Sequence, residues 1–113
     1  MLEKLEERAA ARNKAAVRES SVEGHLVGKI KDKRGLCLKF TSPGRRGVPD
    51  RLTLMPIPPE HQELVRRYVR FAELKRPGGK PRPEQEREHQ LLRHMGFHVD
   101  VFSTKESIDE VEG

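Results

Sequence analysis

Residues 68–75 read Tyr-Val-Arg-Phe-Ala-Glu-Leu-Lys, and this stretch is the central strand of the fold that we predict. Its aromatic and β-branched residues favour a strand, which we place over residues 67–75. A loop rich in Pro and Gly follows, and Pro83 occupies the first turn of a helix predicted over residues 83–95. Another strand is predicted over residues 97–102. A strand, a helix and a strand in succession form a crossover unit, so we expect these two strands to be parallel and the crossover to be right-handed.

Two strands are predicted upstream, over residues 36–40 and 50–55, and they can form an antiparallel meander with the strand over residues 67–75. Ser20 and Glu23 match a capping box, so a helix is predicted to begin there and to end at Gly35. The predicted fold class is therefore α/β, a mixed sheet flanked by helices. Further helices are predicted over residues 2–18, over residues 60–66, and after a capping box of Ser103 and Glu106.

The chain has 113 residues, which suits one domain. Its hydrophobic residues make up only 34%, so its core is small, and association into a dimer would bury more apolar surface. Lys and Arg number 23 against 18 Asp and Glu, which gives a net charge of +5. A basic surface attracts polyanions, and nucleic acid is the commonest of them.

Several classes of protein are disfavoured by what the sequence lacks. A single cysteine, Cys37, permits no disulfide within one chain, and no apolar stretch approaches the ~20 residues of a membrane span. No P-loop or Gly-x-Gly-x-x-Gly motif suggests a nucleotide cofactor, and no Cys or His spacing suggests zinc. We therefore expect a soluble protein of the cytoplasm, in a bacterial or phage-infected cell, with no membrane partner.

Glu73 and Lys75 lie two apart on the predicted strand, so their side chains share one face of the sheet. An acid and a base side by side on a strand of Tyr, Val, Phe and Ala are costly unless they pair or bind something. The alternative is an ordinary exposed charge pair, which is common on strand surfaces.

Asp50 begins the strand that we expect to neighbour the one carrying Glu73. Side chains on strands ~4.7–4.9 Å apart can share one ion, and a divalent cation removes the repulsion between two carboxylates. Asp50, Glu73 and the backbone carbonyl of Leu74 are hard oxygen ligands suited to Mg²⁺ or Mn²⁺. Such a metal activates water for phosphodiester hydrolysis, and Lys75 can orient that water or stabilise charge on the phosphate. The alternative for Asp50 is a turn aspartate.

Pro49-Asp50 followed by Glu73-Leu74-Lys75 resembles the PD…(D/E)xK signature of the restriction-endonuclease-like nuclease superfamily. The longer sequence is similar to one branch, the virus-type replication-repair nuclease (VRR-NUC) domain, over residues 20–110. The segments that carry this resemblance are residues 23–27 (EGHLV), 35–40 (GLCLKF), 42–51 (SPGRRGVPDR), 71–79 (FAELKRPGG), Gln85, and 87–89 (REH).

The resemblance implies an α-β-β-β-α-β core, a nuclease domain over residues 20–113 and a helical extension over residues 1–19. It implies that Asp50 and Glu73 are metal ligands and Lys75 the catalytic lysine of a metal-dependent DNA endonuclease. Stand-alone members of that family look like homodimers that cut branched DNA such as four-way junctions, so the resemblance implies a homodimer with that preference here. The segment over residues 56–68 is longer than in many relatives.

The resemblance also assigns catalytic roles to Glu23, on the first core helix, and to Gln85, on the helix after the motif. Glu23 has a structural alternative as the capping-box partner of Ser20, and Gln85 as a plain surface residue. A non-cutting DNA-binding subunit and an assembly subunit on the same fold remain alternatives to the nuclease.

Basic residues near the predicted site are candidates for contact with DNA phosphates, the alternative being a solvated, charged loop. These candidates are Lys39, Arg45, Arg46, Arg51, Lys80 and Arg82.

Overall fold

The computed structural model describes residues 15–41 and 44–111. The described part of the chain contains both helices and strands, which confirms the predicted α/β class. The helix predicted over residues 2–18 falls mostly outside it. The elements are α1 (Ala15–Asp32), β1 (Leu36–Lys39), β2 (Arg51–Leu54), α2 (Pro59–Arg66), β3 (Arg70–Leu74), α3 (Pro83–His94), β4 (His98–Phe102) and α4 (Lys105–Asp109).

The strands form two sheets of two strands each. β1 pairs with β2 in antiparallel register, and β3 pairs with β4 in parallel register. The predicted antiparallel pairing of the first two strands is confirmed. The extension of this pair by a third strand into one mixed sheet is wrong for the described residues. No hairpin joins β2 to β3, because prolines at 56, 58 and 59 lack amide donors and α2 occupies the connection.

The chain divides into two compact units, one ending at Met55 and the other beginning at Pro56. The second unit contains β3, α3 and β4, and its parallel strands confirm the predicted crossover unit. None of the described helices is both long enough and apolar enough to cross a bilayer.

The core of the second unit lies where α3 and β4 meet. Leu92, Met95, Phe97 and Val99 are buried, and the ring of Phe97 packs edge-on against Phe71 at 5.9 Å between centroids. Each such side chain contributes roughly 1.5–3 kcal/mol through removal of apolar surface from water. This packing holds α3 against the sheet and so fixes which face of α3 meets β3.

Helix α1 runs without a break from Ala15 to Asp32, so the predicted helix start at Ser20 is wrong. Ala15, Ala16 and Glu19 favour a helix, and the serines that follow continue it rather than cap it. The capping role that was the alternative for Glu23 is thereby removed. Helix α1 also crosses the predicted domain boundary at residues 19 and 20, and the extension over residues 1–19 stays a prediction.

The end of α1 lies close to strand β2 within the first unit. Arg34, not Gly35, takes the left-handed conformation (φ 62°), and the amide of Gly35 donates to the carbonyl of Ile30 at 2.9 Å. A Cβ at position 35 would lie 2.6 Å from the Leu54 carbonyl oxygen and 2.7 Å from the Met55 sulfur. Position 35 is therefore glycine because the backbone passes too close for any side chain.

Gly96 ends α3, as predicted, with φ at 101°. A Cβ there would lie 2.8 Å from the side-chain nitrogen of Gln62, which donates to the Ile57 carbonyl at 2.9 Å. Helix α4 begins one residue later than predicted, because Thr104 rather than Ser103 accepts the capping hydrogen bond, from the amide of Ser107.

We predict that Gly35→Ala destabilises the protein by about 1–3 kcal/mol, because the new methyl group overlaps a backbone oxygen that cannot move independently. Urea denaturation followed by circular dichroism measures this change as a lower midpoint. Gly28→Ala is the matched control, because a Cβ there meets nothing within 4 Å. In the interior of α1 this control is expected to stabilise the protein by about 0.5–1 kcal/mol. Equal effects of the two substitutions would contradict the steric account.

Candidate active site

Asp50 lies immediately before β2 in the first unit. Its carbonyl accepts a hydrogen bond from the amide of Phe40 at 2.8 Å, which extends the β1–β2 ladder by one pair. The backbone at Asp50 is thus fixed by the sheet while its side chain is exposed. A carboxylate held in this way is accessible to a cation or to solvent.

Glu23, on α1, forms an ion pair with Arg51, the first residue of β2. The Arg51 Nη2 atom lies 3.1 Å from Glu23 Oε1, and Arg51 Nη1 donates to the Cys37 carbonyl at 3.3 Å. Arg51 therefore connects α1, β1 and β2. Its Nε atom is buried without a hydrogen-bond partner in the described part of the chain.

The Glu23–Arg51 pair changes the proton affinity of both groups. Hydrogen bonding and the positive charge of Arg51 lower the pKa of Glu23 from its ordinary value of 4.5, with a smaller effect from Lys39. The hydrogen bond to Glu23 raises the pKa of Arg51, and the nearby charge of Asp50 adds to this effect. Glu23 is therefore ionised and Arg51 charged at neutral pH.

Glu73 and Lys75 are the predicted site residues of the second unit. Glu73 is on β3. Lys75 follows the strand and continues its hydrogen bonding to β4, because the Lys75 amide donates to the Phe102 carbonyl at 2.8 Å. The Glu73 side chain is 27% exposed, so it is partly enclosed and still accessible. Leu74, between them, has a side chain on the other face, 68% exposed.

Gln85, in the first turn of α3, contacts Lys75 directly. The Gln85 Oε1 atom accepts hydrogen bonds from Lys75 Nζ at 2.8 Å and from the backbone amide of Arg82 at 3.0 Å. The half-buried Gln85 is thus more than a solvated surface residue: it satisfies the start of α3 and fixes the Lys75 ammonium group.

His89 was assigned no role from the sequence, yet it contacts Glu73. Its Nε2 atom lies 3.4 Å from Glu73 Oε1, and it is the one buried polar side chain among the described residues, at 7% exposure. The spacing carried the signal that could have found it. His89 lies four residues after Gln85, and side chains four apart lie on the same face of a helix.

Comparison with curated proteins finds a relative named “Putative nuclease p44”, from Acyrthosiphon pisum secondary endosymbiont phage 1. The two chains are 42% identical over 90 residues, which cover 80% of this chain and 87% of the relative. The chain belongs to the p44 family. No protein-family model matches the chain, and no solved structure matches it. Membership of the VRR-NUC branch in particular therefore stays a prediction.

In this p44-family chain the predicted DNA-binding residues differ in their surroundings. Lys39, Arg45, Arg46 and Lys80 are exposed. Arg51 is engaged by Glu23 and by the Cys37 carbonyl, and Arg82 lies 3.4 Å from Glu84 in an exposed ion pair. The exposed residues have charges available for an anionic ligand, whereas Arg51 serves the fold in the described arrangement.

The predicted metal ligands fall in both units, Asp50 in the first and Glu73 with the Leu74 carbonyl in the second. Within residues 15–41 and 44–111, no three His, Cys, Asp or Glu side chains form a group that could hold a metal ion. The predicted set needs only two side chains, since its third ligand is a backbone oxygen. Its assembly around one ion stays a prediction, as do the catalytic roles of Glu23 and Gln85.

We predict that the Glu23–Arg51 pair makes stability depend on acid pH. Because the folded-state pKa of Glu23 is below 4.5, the unfolded chain binds the proton first. The contribution of the pair is fully present above pH 4.5 and is lost as the pH falls through the lower, folded-state pKa. Urea midpoints of native protein and Glu23→Gln at neutral pH and below pH 4.5 measure this loss.

Glu88→Gln, which removes an exposed carboxylate on α3, is the control. As the pH falls, the difference in urea midpoint between native protein and Glu23→Gln is expected to shrink more than the difference between native protein and Glu88→Gln. A constant difference between native protein and Glu23→Gln across this pH range would refute the linkage.

Proposed function

We propose that this chain is a divalent-metal-dependent DNA endonuclease that hydrolyses phosphodiester bonds. The observation that carries the proposal is the hydrogen bond from Lys75 to Gln85 beside the partly enclosed carboxylate of Glu73. A surface charge pair has no need of a lysine held by a glutamine on a second element. Membership of the p44 family, whose phage relative is named a nuclease, supports the same activity.

The proposed metal is Mg²⁺ or Mn²⁺, with Asp50, Glu73 and the Leu74 carbonyl as its protein ligands. The chemistry of these donors fits, because hard divalent cations prefer carboxylate and carbonyl oxygens. Asp50 is exposed and Glu73 has part of its surface accessible, so neither carboxylate is sealed from a ligand. When bound, the metal would polarise a phosphate oxygen and lower the pKa of a coordinated water.

Lys75 is proposed to act on the reacting phosphate or on the attacking water. Its ammonium group offers three donors, and Gln85 Oε1 accepts one of them. The other two remain to stabilise the charge that develops on the phosphate oxygens, or to orient the water. Because Gln85 holds Lys75 before substrate binds, little reorganisation is needed during the reaction.

The proposed substrate is DNA, and the exposed basic residues support it. Lys39 with Arg45 and Arg46 in the first unit, and Lys80 in the second, can contact backbone phosphates. A preference for four-way junctions and a homodimer rest on the VRR-NUC resemblance alone. Resolution of a junction needs two sites on opposing strands, which a two-fold dimer supplies.

We predict that the protein nicks plasmid DNA and a labelled four-way junction in Mg²⁺ or Mn²⁺ and that EDTA abolishes both reactions. Asp50→Ala and Glu73→Gln are expected to remove cleavage while retaining DNA binding, because the proposed phosphate contacts are made by other residues. Gel assays of cleavage and of binding in Ca²⁺, with light scattering for the oligomeric state, make the measurements. Binding without cleavage by the native protein would favour a non-cutting subunit. The absence of both binding and cleavage would favour an assembly role.

We predict that Lys75→Ala lowers the cleavage rate constant by about 10²–10³, the effect of removing one donor that stabilises developing charge. Gln85→Ala is expected to lower it by about 10–100-fold, because Lys75 is then free to move. Single-turnover cleavage with enzyme in excess measures both.

Gln90→Ala, an exposed position on the same helix, is the control and is expected to cut at the native rate. Gln85→Glu retains an acceptor for Lys75 and for the Arg82 amide, so it should cut faster than Gln85→Ala. A Gln85→Ala rate equal to that of Gln90→Ala would remove Gln85 from the site.

A further inference from the structure

We infer that His89 is a positioning residue that holds the carboxylate of Glu73 for ligand binding. This inference rests on the proposed function, because it concerns the ligand set of the same site. It assigns a task to the one buried polar side chain of the described chain, which the proposed mechanism otherwise does not use.

The burial of His89 requires an explanation. Leu92, three residues further along α3, is buried on the same side of the helix. An apolar residue at position 89 would extend that packing without the cost of removing an imidazole from water. The Glu73 carboxylate, 3.4 Å from Nε2, is the partner that offsets this cost. The contact with Glu73 therefore explains why a histidine is buried at position 89.

The contacts of His89 and Gln85 form a matched pair. Glu73 and Lys75 are two residues apart on an extended chain, a rise of roughly 6.6 Å. Gln85 and His89 are four apart on a helix, a rise of roughly 6 Å. The helix of a crossover unit runs opposite to its strands, so the later residue of each element meets the earlier one of the other. Lys75 contacts Gln85 and Glu73 contacts His89, as that geometry requires.

The position of His89 also restricts how Glu73 can use its two oxygens. Nε2 lies 3.4 Å from Oε1, so an Nε2–H tautomer would attract that oxygen and favour one orientation of the carboxylate. An imidazole that orients a ligating carboxylate raises ligand affinity by reducing the freedom lost on binding. This effect on ligand affinity acts through the Glu73 carboxylate and does not involve Lys75.

The experiment compares native protein with His89→Leu, His89→Gln and His94→Leu, the last being an exposed control on the same helix. Calorimetric titration with Mn²⁺ in the absence of DNA is the first measurement. His89→Leu is expected to bind Mn²⁺ about 10–100-fold more weakly than native protein. His89→Gln, whose amide can donate to Glu73, should recover part of the affinity, and His94→Leu should bind as the native protein does.

The second measurement is a double-mutant cycle in EDTA between His89→Leu and Glu73→Gln, followed by urea denaturation. Non-additive effects are expected, because each substitution removes the partner of the other. Where His89→Leu fails to fold, the cycle and the titration are carried out with His89→Met, which also lacks a donor for Glu73.

Additive effects in EDTA, or equal Mn²⁺ affinity of His89→Leu and native protein, would overturn the inference while leaving the proposed nuclease intact. A native protein that binds no Mn²⁺ would overturn the proposed function and this inference together. A purely structural role for His89 predicts lower stability with unchanged Mn²⁺ affinity, which is the outcome that separates packing from positioning.

Discussion

The hydrogen bond from Lys75 to Gln85 joins the end of β3 to the first turn of α3. The same Gln85 oxygen also accepts a hydrogen bond from the backbone amide of Arg82 at the start of the helix. The beginning of α3 and the position of the lysine are consequently set together. The apolar packing of Leu92 and Phe97 then keeps this face of the helix against the sheet.

The first unit has a different anchor. Among its described residues only Leu54 is a buried hydrophobic side chain, so apolar burial alone contributes little there. Arg51 connects three elements by pairing with Glu23 and donating to the Cys37 carbonyl. A residue expected to contact DNA thus has a structural task, and the acid expected in catalysis is its partner.

The second unit could be largely predicted from sequence, since its signals are local: aromatic and β-branched residues in β3, Pro83 at the start of α3, and Gly96 at its end. The failures came from long-range or competing effects. The Ser20 capping signal is real in isolation, but the alanines and glutamate before it continue the helix. The residues of β2 do not specify which strands pair with it. The sequence therefore contained no sign that β2 would pair with β1 alone among the described strands, and the predicted single sheet was wrong.

The candidate site divides in the same way. Resemblance indicated Gln85, and the fold then supplied its contact with Lys75. His89 was missed because a histidine in a charged helix looks like a surface residue until its partner on β3 is known. The joint use of Asp50 and Glu73 stays a prediction, because no local pattern determines the distance between side chains on different strands.

Gly96 has a consequence for how this family can vary. Its φ of 101° disfavours any L side chain, and the flexible side chain of Gln62 also lies in the space that a Cβ needs. Gln62 belongs to α2, within the segment that lengthens the connection between β2 and β3. Descendants that shorten this connection would lose the Gln62 contact, but the positive φ would remain, so position 96 is expected to stay glycine in chains with and without α2.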